Sequence, residues 1–196
     1  MSKSKSKKSS QEKGAQFEKI VENFFKWLFE EIELVVTKCR LQKGGNQHGF
    51  DILIGIIQNN TKKNIYIECK NYSNDLDIGN IYKKIGTLEN NLILSKKDLF
   101  IAINPHSNFS NEDHDEKLSP FINKTFKVNC ILLEASNGIK ELFAVNKDFY
   151  CQVYDKEPDF KVDTEKEINK FKSILFSRAP LKKIFLKNED KEKYLS

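Results

Sequence analysis

Two short apolar segments on either side of a polar turn constrain the fold most. Gly49–Ile57 and Asn64–Lys70 are rich in β-branched and aromatic residues, and residues 58–63 between them are polar. This pattern is typical of a β-hairpin. One face of the hairpin is apolar, as expected where a sheet packs against a helix; its residues are Phe50, Ile52, Ile54, Ile56, Ile65, Ile67 and Cys69.

The same hairpin brings two carboxylates together. Centring the turn between Asn59 and Asn60 places Asp51 directly opposite Glu68. Opposed residues of an antiparallel pair point to one face, with β-carbons about 5 Å apart. Lys70, two residues after Glu68, shares that face. Because two close carboxylates repel each other, a lysine or a divalent metal is expected between them. A surface ion-pair cluster and a metal site both explain this pattern.

The rest of the chain predicts helices and strands in an alternating order. The apolar spacing indicates helices at 11–31, 75–94, 118–126 and 164–176, and strands after Glu33, at 99–103 and at 129–135. Residues 104–119 read as a loop, and 139–154 as further short elements. Strands joined by short turns pair antiparallel, whereas a strand–helix–strand unit pairs parallel. An α/β fold is predicted, with a mixed central sheet flanked by helices.

Length, cysteine spacing and hydropathy exclude several classes of protein. The 196 residues suit one domain. The four cysteines form no CxxC pair, so their spacing indicates neither a zinc site nor a disulfide framework. No apolar run approaches the roughly 18 residues that span a bilayer, and a cytoplasmic location is expected. The net charge is +5, and the lysine-rich residues 1–10 are predicted to form a disordered basic arm.

The first helix offers a third carboxylate. Glu18 projects from the edge of the apolar stripe, where the helix would meet the sheet, whereas Glu22 lies nearer to solvent. A solvated glutamate beside the stripe is the alternative.

Three short motifs then suggest a family. Gly14–Glu18 (GAQFE), Gly49–Asp51 (GFD) and Ile67–Tyr72 (IECKNY) resemble the GxxFE, GxD and (I/V)ECKxY signatures of Mrr-like nucleases in the PD-(D/E)xK superfamily. The motifs occur in the family's order, and the resemblance covers residues 14–103. It implies a restriction-endonuclease-like αβββαβ core at 14–135, with an extension at 136–196, in a single nuclease domain at 11–196.

The resemblance also implies a chemistry. Mg²⁺, with Mn²⁺ as a substitute, would be bound by Asp51, Glu68, the backbone carbonyl of Cys69 and Glu18. Oxygen ligands suit such a hard cation. Asp51, Glu68, Lys70 and Glu18 would be the catalytic residues, and Lys70 would position the attacking water or offset developing negative charge. The expected reaction is the hydrolysis of DNA phosphodiester bonds.

Substrate and partners are expected from the same resemblance. Double-stranded DNA is the expected substrate, and Asn71 and Tyr72 are candidate substrate contacts. Gln47 and His48, in the loop just before Gly49, are further candidates by their position beside the proposed site; ordinary polar turn residues are the alternative. A homodimer, and a sensor or ATPase module in a larger protein or complex, are the expected partners, in restriction, defence or DNA processing. The alternative function is a catalytically inactive nuclease fold that binds nucleic acid or protein.

Overall fold

The computed structural model describes residues 9–42, 49–58, 60–91, 93–94, 97–110, 129–136 and 138–176. Most of the predicted basic arm, Gln47, His48 and the helix predicted at 118–126 lie outside these ranges. The helices are α1 (Ser10–Glu31), α2 (Ile78–Asn90), α3 (Ile139–Ala144), α4 (Lys147–Tyr154) and α5 (Thr164–Phe176). The strands are β1 (Val35–Leu41), β2 (Ile52–Gln58), β3 (Thr61–Cys69), β4 (Leu76–Asp77), β5 (Leu99–Asn104), β6 (Phe109–Ser110) and β7 (Asn129–Glu134).

Five of the strands form one mixed sheet, in the order β1-β2-β3-β5-β7. The first three strands pair antiparallel, and β5 and β7 continue the sheet parallel to β3. The predicted α/β fold with a mixed sheet is therefore confirmed. Among the described residues, no helix is long and apolar enough to span a membrane.

The hairpin has the predicted register. Ile52 pairs with Ile67, and Gln58 pairs with Thr61. The turn is tighter than residues 58–63, because both strands continue almost to its centre. Asn60 has a φ of 60°, and asparagine tolerates this left-handed conformation better than most residues. The longer predicted turn was wrong because a two-residue turn suffices.

Helix α1 covers one face of the sheet. It begins at Ser10, with Ser9 as the N-cap in a capping box with Glu12. Its buried stripe packs on the apolar hairpin face, and Phe143, Tyr150 and Phe171 from α3, α4 and α5 belong to the same core.

Helix α2 covers the other face, and here one prediction was wrong. Phe50 does not share the α1 face but packs with Tyr66 in the second core, with ring centroids 4.9 Å apart. Strict alternation applies only to extended strand, and β2 begins at Ile52, after Gly49 has turned the chain with a φ of 81°.

The short strands β4 and β6 pair with each other beside α2. They shorten the predicted helix at its start, because Leu76 and Asp77 are extended and Asp77 caps the helix by accepting from the Gly79 N–H. The predicted loop at 104–119 likewise contains β6 in its described part.

Candidate active site

Asp51 lies at the open end of the hairpin, one step before β2. Its N–H donates to the Ile67 carbonyl (2.8 Å), which extends the ladder beyond the Ile52–Ile67 pair and brings Asp51 opposite Glu68. Its Oδ2 accepts a hydrogen bond from the Cys69 N–H (2.7 Å). The first carboxylate is therefore fixed by the backbone of the strand that bears the second.

Glu68 lies near the end of β3, between β2 and β5, and is only 1% exposed. Its Oε1 accepts from the ammonium groups of Lys70 (2.5 Å) and Lys84. Its Oε2 is buried and has no hydrogen-bond partner among the described residues. An unpartnered buried carboxylate oxygen is costly, so it points to a cationic ligand that this atom is suited to bind.

Lys70 follows β3 directly. Its N–H donates to the Ile103 carbonyl (2.7 Å), which anchors the backbone to β5 while the side chain reaches Glu68. Burial alone lowers the pKa of Lys70, but the carboxylates of Glu68 and Asp51 outweigh it and hold the pKa above its ordinary value. The ammonium therefore stays charged at neutral pH.

The pKa values of two carboxyl groups reflect this crowding. Burial raises the pKa of Asp51, and the negative charge of Glu68 raises it further, against the Cys69 N–H and the nearby lysines. Burial also raises the pKa of Glu18, with added repulsion from Asp51 and Glu68. Holding these groups ionised together costs free energy that a bound divalent cation would offset.

Lys84 was missed by the sequence analysis. It comes from α2, sixteen residues after Glu68, and its side chain is 33% exposed. The sequence did contain one sign of this role, the Lys83–Lys84 pair on the helix that packs on the sheet. Lys84 lies three residues after the buried Ile81, at the edge of the apolar stripe. Which strand residue it meets depends on how α2 crosses the sheet, and no local spacing encodes that.

The N-terminal part of the chain matches the model of a known protein family. Residues 10–113, more than half of the chain, match the family model Mrr_cat, described as restriction endonuclease. The chain belongs to this restriction endonuclease family. The matched residues include Glu18, Asp51, Glu68 and Lys70.

A solved structure with some similarity is that of the MspJI restriction endonuclease in complex with a 27-mer oligonucleotide. The identity is 12% and the TM-score 0.42, over 79% of this chain and 35% of that one. The chain thus spans about a third of that protein's length. A comparison with curated protein sequences gave no match.

The carboxylates at the open end of the hairpin have the chemistry to hold a divalent metal. Asp51 and Glu68 are adjacent oxygen donors of the kind that a hard cation prefers, and one oxygen of Glu68 is unpartnered as far as the structure describes the chain. Within the described ranges, however, no three side chains of histidine, cysteine, aspartate or glutamate group around one metal position. Glu18 is close enough to influence Asp51 electrostatically but does not complete such a group. The donor set fits a metal held by two carboxylates.

Of the predicted substrate contacts, Gln47 and His48 lie outside the described residues, and Asn71 and Tyr72 lie within them. Asn71 and Tyr72 are exposed and border the cavity that also contains Glu18 and Asp51. Tyr72 is 54% exposed, and its carbonyl accepts from the Ser107 hydroxyl (3.0 Å).

Proposed function

We propose that this protein is a divalent-metal-dependent endonuclease that hydrolyses DNA phosphodiester bonds, with Mg²⁺ as the natural ion and Mn²⁺ as a substitute. One observation carries the proposal. Asp51 and Glu68 meet at the open end of the hairpin beside Lys70, and in the described part of the chain the inner oxygen of Glu68 is buried without a partner. Membership of a restriction endonuclease family supports the reaction class.

In this proposal Asp51 and Glu68 bind the cation, together with the backbone carbonyl of Cys69. The Cys69 N–H fixes Asp51 through Oδ2, while Lys70 and Lys84 fix Glu68 through Oε1. One oxygen of each carboxylate thus holds the side chain in place, and in this proposal the other oxygen binds the cation. A bound divalent cation supplies charge that polarises a phosphate and makes water easier to deprotonate.

Lys70 is the residue we assign to the attacking water and the developing negative charge. Its ammonium contacts Glu68. Lys70 also lines both the cavity that contains Asp51 and Glu68 and the cavity that contains Asp51 and Glu18. A preorganised charge in a partly water-excluded site stabilises a transition state more than one in bulk water. Glu18 faces the same cavity as Asp51, and we assign it an orienting role at the outer edge of the site.

The test is incubation of the protein with supercoiled plasmid DNA in Mg²⁺, Mn²⁺ or EDTA. Nicked or linear product that needs the metal, and is lost in Asp51→Asn and Lys70→Ala, is the expected result. The matched control is Lys62→Gln, an exposed lysine elsewhere on β3, which should cleave as the wild type does. Binding without cleavage would instead favour the inactive binding module.

The products also test the proposed homodimer. Cutting both strands requires two active sites, so a dimer should give linear DNA early in the reaction. A protein that acts as a monomer should accumulate nicked circles first. From the family we further propose a role in restriction, defence or DNA processing.

A further inference from the structure

The face of α2 that is turned away from the second core is polar. Asn80, Lys83, Lys84 and Thr87 form this α2 polar stripe, at spacings of three, four and seven residues, which lie on one side of a helix. The opposite side of α2 is buried; its residues include Ile78, Ile81, Tyr82, Ile85 and Leu88. The stripe is therefore left facing outward beside the active site.

Two adjoining cavities meet at this stripe. One contains the acid pair Asp51 and Glu68, and the other contains Tyr72 and Asn80. Three lysines border both of them: Lys70, Lys83 and Lys84. The three lysines thus concentrate positive charge at the border between the two cavities, where a ligand that extends from one cavity into the other would lie.

The two helix lysines have different partners. Lys84 contacts Glu68, so the stripe reaches the acid pair. Lys83 is exposed, and it takes part in none of the ion pairs between described residues. Its ammonium is available to an anionic ligand.

We propose that the α2 polar stripe binds the sugar-phosphate backbone of the DNA strand to be cut and directs it over Asp51 and Glu68. The inference rests on the proposed function. From Asn80 to Thr87 the helix rises by about 10 Å at 1.5 Å per residue. Along the duplex axis, where each strand rises 3.4 Å per nucleotide, this length corresponds to roughly three nucleotides.

The chemistry of the stripe sets the kind of recognition. Lysine is a point charge that attracts phosphate without reading base edges. The Thr87 hydroxyl donates to the Lys83 carbonyl (2.9 Å), so Thr87 adds polar surface rather than charge. The α2 polar stripe therefore positions a strand independently of its sequence.

The experiment is fluorescence anisotropy of a short labelled DNA duplex, with Ca²⁺ in place of Mg²⁺ and a gel check that the strand stays intact. The dissociation constant is measured over a range of salt concentrations for the wild type, Lys83→Gln and the control Lys62→Gln. Each phosphate contact contributes about 0.9 to the slope of log K against log salt. Lys83→Gln should lower the slope by about one and weaken binding several-fold, while Lys62→Gln should change neither.

The outcomes separate the two proposals. A wild-type slope in Lys83→Gln, or an equal loss in Lys62→Gln, would overturn the assignment of the α2 polar stripe and leave the nuclease proposal standing. Failure of the wild type both to bind and to cleave DNA would overturn the proposed function itself. Thermal melting of each variant checks that it is folded. Because Lys83 is exposed, its substitution should leave the Tm close to that of the wild type.

Discussion

The two faces of the central sheet have different compositions. The core on the α1 face is a large cluster of apolar side chains covered by α1 together with residues of α3, α4 and α5, with the buried Glu22 beside it at Cys39. The core on the α2 face is smaller, and at the open end of the hairpin it gives way to Asp51, Glu68, Lys70 and Lys84. One sheet thus has a face that stabilises the fold and a face whose edge holds crowded charges.

The difference follows from what each helix buries. Helix α1 packs a continuous run of aromatic rings, with Phe24 and Phe143 centroids 4.6 Å apart. Helix α2 packs Ile81, Ile85 and Leu88 on the sheet but turns Lys84 to Glu68. Substitutions on the first face should therefore change mainly stability, and those at the edge of the second mainly activity.

The largest effect is expected at the charged edge. Asp51→Asn should lower the cleavage rate by on the order of a thousandfold, because a neutral amide binds a divalent cation poorly. Cleavage rates with plasmid in saturating Mg²⁺ measure this. Activity close to that of the wild type would contradict the placement of the metal.

The same variant should be at least as stable as the wild type in EDTA at neutral pH. The folded-state pKa of Asp51 is raised from 3.8 by burial and by Glu68, so ionised Asp51 destabilises the folded protein above that raised pKa. Below pH 3.8 the carboxyl group is neutral and the penalty is absent. The gain in Tm should therefore be largest at neutral pH and vanish as the pH falls, as thermal melts across this range would show.

On the α1 face, Phe24→Ala should lower the free energy of unfolding by about 3–5 kcal/mol. Phe24 is fully buried and contacts the rings of Phe25, Trp27, Phe143 and Phe149. Urea unfolding measures the loss. The cleavage rate per folded molecule should stay unchanged. A loss of cleavage without a loss of stability would contradict the assignment of the α1 face to stability alone.

A smaller effect is expected for Lys70→Arg, which should reduce the cleavage rate on the order of a hundredfold without a comparable loss of stability. The wider, planar guanidinium cannot replace a compact ammonium wedged against Glu68. The measurement pairs plasmid cleavage with thermal melting, and Lys62→Arg serves as the control. Full activity in Lys70→Arg would show that any cation suffices there.

The smallest effect is expected for Tyr66→Phe, in the core of the α2 face. The Tyr66 hydroxyl donates to the Ile93 carbonyl (3.0 Å), and its removal should lower the free energy of unfolding by about 1 kcal/mol. Urea unfolding should detect this change while cleavage stays as in the wild type. A large loss of cleavage would mean that the second core and the active site are more tightly coupled than the contacts indicate.

Much of the fold followed from local patterns. The bounds of α5 agree with the prediction at both ends, and the hairpin register is as predicted. Both rest on periodicity, which local sequence encodes directly. Backbone conformation at Gly49, Asn60 and Asp77 explains the errors at Phe50, at the tight turn and at the start of α2. Two further predictions were wrong: α2 ends at Asn90 rather than at residue 94, and Glu22 is buried, with Lys19 and Cys39 as partners, rather than near solvent.

The sequence by itself determined that Asp51 and Glu68 would face each other and that Lys70 would share their side, because the two-residue period of a strand leaves little choice once the register is set. The tertiary structure alone decided that Lys84 would reach Glu68, that Glu18 would face Asp51 without completing a ligand group, and that Phe50 would join the α2 face. Phe50 follows the backbone turn at Gly49, whereas the contacts of Lys84 and Glu18 depend on how helices cross the sheet. Packing between distant parts of the chain fixes that crossing, and no local period records it.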